Sequence, residues 1–184
     1  MDETQTSLVR GPVARRALLT GAAGMAGALT LGVATALPAM AARQPGWRWC
    51  RRCQTLFFFD GYTTGWCCEG GGHNWQGSGN YVIYYNRDAG QDQWRWCNRC
   101  QSLCYAGAGN QRGRCASGRW HNYSGSGNYS IEYGEGYEDG EEQPGWRWCS
   151  KCYCMCYSGN GRGPCPAEGR HNFSSSGNYY LPYT

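Results

Sequence analysis

Trp47-Arg48-Trp49-Cys50-Arg51-Arg52-Cys53 returns as Trp94-Arg95-Trp96-Cys97-Asn98-Arg99-Cys100 and again as Trp146-Arg147-Trp148-Cys149-Ser150-Lys151-Cys152. Downstream of each copy comes a further cysteine, a histidine followed by asparagine, and a Gly-Asn-Tyr. These are Cys67, His73, Asn74 and Tyr81, then Cys115, His121, Asn122 and Tyr129, then Cys165, His171, Asn172 and Tyr179. The chain has 3 histidines, and all of them stand at this one station. A residue type used nowhere else and reused at one place has a function there. Successive starts at positions 47, 94 and 146 give periods of 47 and 52 residues, the spacing of a tandem-repeat architecture.

The partners of each histidine at matched spacing are three cysteines. Cys-x-x-Cys lets the chain fold back so that both sulfurs face one point, and Cys-x5-His supplies two more ligands, as in a tetrahedral zinc site. The expected ligand sets are Cys50, Cys53, Cys67 and His73; Cys97, Cys100, Cys115 and His121; and Cys149, Cys152, Cys165 and His171. The spacing from the second to the third cysteine varies between copies while ligand identity does not, which suits a tolerant loop. Disulfides are the competing framework. Units 1 and 2 hold four cysteines each and unit 3 holds five, 13 in all. However, only three per unit are shared, three cannot pair among themselves, and the histidine would go unexplained. The extra cysteines are Cys68, Cys104, Cys154 and Cys156, with Phe57 standing where units 2 and 3 have Cys104 and Cys156. A thioredoxin-like redox site lacks its βαβ surroundings. An iron–sulfur cluster sits poorly with a histidine in every copy.

No window after the N-terminal segment shows helical spacing of apolar residues. Strand patterns are present instead: Trp47-Arg48-Trp49 alternates, Thr55 to Phe59 is aromatic-rich, and Asn80 to Tyr85 is strongly strand-like after a Gly-Asn turn signal. Each unit therefore reads as a hairpin, a glycine-rich loop and a closing strand. Leu, Ile and Val are few, so such a chain needs metals or disulfides as staples. The expected fold class is all-β, with three small units that are either zinc-ribbon-like beads or a closed pseudo-threefold, trefoil-like body. Boundaries fall at 46–86, 93–134 and 144–184, with an acidic linker at 135–143.

The N-terminus carries Arg15-Arg16, an Ala/Gly/Thr-rich apolar stretch to Leu37, and Ala39-Met40-Ala41. This order resembles a twin-arginine export signal over residues 1–41 with cleavage after Ala41. The resemblance implies folding before export, in a reducing compartment where thiolates are open to zinc, and secretion to the exterior or cell envelope. No second apolar segment follows, so no membrane span is expected after cleavage. The net charge of +4 is mild, and the expectation is that nucleic acid is not the partner.

The repeated Trp-Arg-Trp-Cys-x-x-Cys, central cysteine, His-Asn and Ser-x-Gly-Asn-Tyr pattern resembles short tandem cysteine- and tryptophan-rich modules of secreted bacterial proteins. The resemblance covers nearly all of Trp47 to Tyr183 and implies repetition and secretion but no activity. The Trp-x-Cys-x-x-Cys knuckle is also similar to Ran-binding-protein type zinc fingers, which bind RNA or ubiquitin. Here Cys-x5-His replaces their second Cys-x-x-Cys, so those functions do not carry over.

Four protein ligands make a structural zinc site with no open position for water. No acidic residue recurs among the copies and no serine sits in a nucleophile elbow, so no enzymatic activity is expected. Trp47, Trp49, Trp94, Trp96, Trp146 and Trp148, with Asn74, Asn122 and Asn172, are the materials of a sugar-binding surface, and equally of a core without aliphatics. Alternation sends one Trp of each pair over the knuckle and the other to the opposite face, and the arginine between them could stack on indole. The leading expectation is a secreted binding module for carbohydrate or cell-envelope polymer, three weak sites acting together. Its rivals are a purely structural or metal-sequestering protein and a nucleic-acid- or protein-binding finger array.

Overall fold

The computed structural model describes residues 42–134 and 141–184. The export segment with its cleavage site, and most of the acidic linker, lie outside the described residues. The strands are β1 (Ala42–Trp49), β2 (Leu56–Phe58), β3 (Tyr81–Tyr85), β4 (Gln91–Trp96), β5 (Leu103–Tyr105), β6 (Tyr129–Ile131), β7 (Glu142–Trp148), β8 (Met155–Tyr157) and β9 (Tyr179–Pro182). There is no helix among the described residues, and hence none long and apolar enough to cross a membrane. The all-β expectation holds, three strands to a unit. Strand β7 takes in Glu142 and Gln143, which the sequence pattern had assigned to the linker.

Within each unit the Trp-Arg-Trp strand is central. β1 pairs antiparallel with β2 on one side and β3 on the other, as β4 does with β5 and β6, and β7 with β8 and β9. The central strand breaks register just before its first tryptophan, between Gln44 and Trp47, Gln91 and Trp94, and Gln143 and Trp146. The residue at the break has positive φ: Gly46 at 94°, Gln93 at 64° and Gly145 at 89°. This bulge bends the strand and turns the following tryptophan inward.

The units join in a ring. Tyr85 pairs with Tyr129, Tyr133 with Tyr179 and Tyr183 with Tyr81, so each closing strand meets the next. The short strands repeat the cycle through Phe57 with Ser102, Cys104 with Cys154, and Cys156 with Thr55. The fold is thus a closed pseudo-threefold body and not a string of beads. Its aromatic core follows the same rotation. Trp47 meets Tyr129 edge-on at 5.2 Å, Trp94 meets Tyr179 at 5.3 Å, and Trp146 meets Tyr81 at 4.9 Å. The Tyr129 and Tyr179 hydroxyls donate to Gln44 (2.6 Å) and Gln91 (2.7 Å), and that of Tyr81 to Gln143. Each such aromatic pair adds on the order of 1 kcal/mol beyond the area it buries. Leu56, Ile83, Leu103, Ile131, Met155 and Leu181 complete this core.

This arrangement corrects the reading of the tryptophan pairs. The two members of each pair stand two residues apart on one strand and so share a face: Trp47, Trp94 and Trp146 enter the shared aromatic core, Trp49, Trp96 and Trp148 pack against its edge, and the knuckles form a separate cysteine-rich layer. In a chain poor in aliphatics, the largest apolar side chains are drawn into the interior first.

Candidate metal centres and the exposed face

Each Cys-x-x-Cys forms its knuckle through two backbone bonds. The residue after the second cysteine donates to the first cysteine's carbonyl (Gln54 to Cys50, 2.8 Å; Gln101 to Cys97, 2.8 Å; Tyr153 to Cys149, 2.7 Å). The first cysteine's N–H in turn donates to Thr55, Ser102 or Cys154. The turn holds Gln54, Gln101 and Tyr153 at φ between 64° and 67°, a left-handed conformation that a side chain adopts only under constraint.

The four side chains of each set converge. Cys50, Cys53, Cys67 and His73 form one group; Cys97, Cys100, Cys115 and His121 a second; Cys149, Cys152, Cys165 and His171 a third. Within each group all ligand atoms lie within 4.8 Å of one another, and all are buried. The first and third cysteine sulfurs are 4.0, 3.9 and 3.9 Å apart. The second cysteine sulfur lies 3.3, 3.5 and 3.4 Å from the histidine Nδ1. A tetrahedral thiolate site with metal–sulfur bonds of about 2.3 Å has edges of about 3.8 Å, so these groups have the size of a metal site. The backbone N–H groups of Asn74, Asn122 and Asn172 point at the first cysteine's sulfur, each at 3.4 Å. The 13 cysteines carry no disulfide, so the thiols are available as ligands.

The histidines tie each site to the next unit. His73 Nε2 donates to the Cys100 carbonyl (3.1 Å), His121 Nε2 to Cys152 (2.9 Å) and His171 Nε2 to Cys53 (3.0 Å). A proton held on Nε2 leaves the Nδ1 lone pair facing the sulfurs, which fixes tautomer and ring orientation together. Room for this contact comes from glycine. A Cβ on Gly65 or Gly113 would fall 2.4 Å from the Cys100 carbonyl oxygen or 2.3 Å from that of Cys152, and one on Gly163 would fall 2.5 Å from Gln54 Cγ. The sequence pattern revealed the ligands but not this link, because the acceptor is a backbone atom of another unit.

The electrostatics suit cation binding. Hydrogen bonding from the second knuckle cysteine lowers the pKa of Cys50, Cys97 and Cys149, while burial raises that of Cys53, Cys100 and Cys152. Burial opposes a charge on the histidines, but the surrounding sulfurs outweigh it and raise all three, His73 to about 9. Each cluster thus concentrates negative charge that protons hold when a metal does not.

The residues expected to bind ligand fare differently. Trp47, Trp94 and Trp146 are 0% exposed and offer no face to a ligand, which corrects that expectation. Trp49, Trp96 and Trp148 are half-buried; the first two donate Nε1–H to Gln54 (3.0 Å) and Gln101 (2.9 Å). Arg48 lies over Trp75 at 5.9 Å, so its stacking partner is outside the Trp-Arg-Trp stretch. Asn74, Asn122 and Asn172 use their side chains on the local turn, accepting from Gln76, Ser124 and Ser174 at 3.0–3.1 Å. These turns explain the recurrence of His-Asn.

Some exposed aromatics are shared by the repeat, as Tyr133 and Tyr183 are, but Tyr62, Trp66 and Trp120 belong to single units and leave no repeat signature. Trp120 is 63% exposed. It stands between two open clefts, one of about 640 Å³ with Gln111, Arg112, Lys151 and Tyr153 in its wall, the other of about 560 Å³ walled by Arg99, Arg112, Arg114 and Arg119. No acidic side chain among the described residues lines either cleft. The residue preceding the ligand histidine is Gly72 in unit 1 and Arg170 in unit 3, so the indole belongs to unit 2 alone.

Comparison with known proteins finds no matching family model, no matching curated protein and no matching solved structure.

Proposed function

We propose that this chain is a secreted, non-enzymatic binding module, held together by three structural zinc ions and engaging an acidic carbohydrate or cell-envelope polymer through the Trp120 face. Three thiolates and one imidazole per site favour zinc among the common divalent ions. Burial of every ligand argues for a structural role over catalysis or metal exchange. The single observation that carries the binding reading is Trp120, a mostly exposed indole set between clefts lined by Arg99, Arg112, Arg114, Arg119 and Lys151. An indole stacks on the apolar face of a sugar ring, and guanidinium groups form paired hydrogen bonds with carboxylate or phosphate.

The test is retention of the metal-loaded protein on immobilised acidic polysaccharide, with a neutral polysaccharide as control. Retention should weaken with added salt, and Trp120→Ala should reduce affinity about tenfold with unfolding midpoint and metal content unchanged. Equal retention on the neutral polymer, or an unaffected Trp120→Ala variant, overturns the assignment. Single-stranded nucleic acid is the second reading, because an indole flanked by arginines also suits base stacking. It predicts that an oligonucleotide displaces the protein from the polysaccharide at equal charge concentration.

A further inference from the structure

The three seams of the ring are equivalent in backbone but not in chemistry. At matching positions on the short strands, seam 1/2 sets Phe57 against Ser102 and seam 3/1 sets Cys156 against Thr55; seam 2/3 sets Cys104 against Cys154. Only this seam faces thiol with thiol. The Tyr105 N–H donates to the Tyr153 carbonyl at 2.8 Å, which makes Cys104 and Cys154 a pair without mutual backbone hydrogen bonds. In such pairs the side chains approach most closely, with Cα atoms about 4.5 Å apart, at the near end of the range that a disulfide spans. The two sulfurs are 3.2 Å apart, much closer than the 3.9–4.0 Å between paired sulfurs of the metal sites.

We propose that Cys104 and Cys154 are a redox pair that closes into a disulfide across seam 2/3, bonding unit 2 to unit 3 while the nine ligand cysteines stay reduced. The oxidant is a hydroperoxide. One sulfur displaces water from hydrogen peroxide to give a sulfenic acid, and the second sulfur displaces a further water from it. Two thiols and one peroxide thus become one disulfide and two waters, with both electrons passing to the peroxide oxygens. A small cavity of about 10 Å³ reaches Cys154, though not Cys104, between Thr55, Ser102 and Ala116, with Cys53, Cys68, His73 and Cys100 also in its wall; it has room for one water-sized molecule beside Cys154. A metal is a poorer occupant of this position. The third nearby group is His121, whose Nε2 is 3.5 Å from both sulfurs and whose Nδ1 is 3.5 Å from Cys104 as from Cys100, so the three could meet a metal; but the second metal site claims that Nδ1, and the Nε2 proton is held by the Cys152 carbonyl.

The experiment treats the metal-loaded protein with hydrogen peroxide and reads native mass, denatured mass and a peptide map. The expected result is a loss of two hydrogen atoms, a Cys104–Cys154 cross-linked peptide, unchanged metal content and a higher denaturant midpoint. Cys154→Ser reproduces what Ser102 supplies in unit 2, so it should fold, keep its metals and lose the cross-link, whereas Cys156→Ser should keep it. Three outcomes overturn the proposal: cross-links among the ligand cysteines with metal release; a further metal ion bound in the unoxidised protein and lost in Cys154→Ser; or oxidation of half-buried Cys68 while both Cys104 and Cys154 remain thiols.

Discussion

The interior of this protein and its outer face treat the threefold repeat in opposite ways. Inside, the three copies agree in the metal sites and the links that close the ring, and differ in the side chains of the short strands and knuckle turns. The same ligands, the same Nε2-to-carbonyl link to the next unit and the same edge-on tryptophan–tyrosine pair recur at matching distances. Outside they diverge, and the residue before the ligand histidine is glycine, tryptophan or arginine by turn. The agreement marks what closure of the ring requires, and the divergence marks what closure leaves free. Each contact in the ring also joins one unit to the next. A fault in one site should therefore be felt in the others, while a change on the outer face should stay local.

Removing metal should give the largest effect. Structural zinc in small domains supplies on the order of 10 kcal/mol of folding free energy, so chelation should unfold the whole body in one transition. Acid should do the same. Hydrogen bonds from Cys50 and then Cys53 lower the Cys67 thiol to about 5. A depressed thiol contributes stability that is complete above its ordinary value near 9 and is lost as pH falls through about 5. His73, raised to about 9, has the opposite sign in the metal-free protein: its proton stabilises below the ordinary histidine value near 6.5, and that contribution is lost as pH rises through about 9. At neutral pH a metal must displace that proton. Metal uptake at pH 7 should therefore release protons, measurable with an indicator dye, and metal should leave on acidification toward pH 5. Burial holds the Cys53 thiol protonated as well, so uptake with no proton release would show that neither that thiol nor the imidazole is a ligand.

His171→Ala tests whether the ring transmits damage. It removes one ligand and the bond to the Cys53 carbonyl, and should cost on the order of 4 kcal/mol. In a closed ring the other two metals should exchange faster as well, seen as earlier loss to a chelator. Independent beads would hold the remaining two as firmly as before.

Gly113→Ala and Gly118→Ala separate the two regions within one loop. Both glycines have positive φ, 64° and 88°. A Cβ at Gly113 meets the Cys152 carbonyl oxygen that His121 needs, whereas one at Gly118 meets nothing within 4 Å. The first should cost about 3 kcal/mol and disturb the second metal site; the second should cost about 1 kcal/mol, the backbone penalty alone. Equal losses from thermal unfolding would mean that the seam contact is slack.

The sequence made the ligands legible because histidine and cysteine are scarce and recur at fixed spacing. It made the strands legible because Trp47-Arg48-Trp49 and Asn80 to Tyr85 carry the two-residue period. Ring closure was not legible. It depends on carbonyls of Cys53, Cys100 and Cys152 and on tyrosine–tryptophan contacts between units, and backbone acceptors leave no mark in a sequence. The repeated tryptophans fit core and surface equally at the level of sequence for a physical reason: repetition of an aromatic residue signals importance without a direction. Trp120 has no signature in the repeat pattern because a residue that serves one unit alone leaves no repeat.

Gln93 offers the smallest test and the most specific. It occupies the strand break that Gly46 and Gly145 occupy in the other units, at φ 64°, and its N–H still donates to Asn128 Oδ1 at 2.8 Å, as Gly46 does to Asn80 at 2.8 Å and Gly145 to Asn178 at 3.0 Å. A left-handed conformation costs a side-chain residue about 1–2 kcal/mol, and glycine returns part of this through the greater freedom of its unfolded chain. Gln93→Gly should therefore raise stability by about 0.5 kcal/mol, read from the denaturant midpoint. The reverse change, Gly46→Ala, places a Cβ 3.1 Å from the Phe58 ring and 3.2 Å from the Phe59 carbonyl oxygen and should destabilise. A fall in stability for Gln93→Gly would mean that the glutamine side chain contributes more to unit 2 than its backbone strain removes, and that this unit departs from the threefold pattern in its interior as well as on its surface.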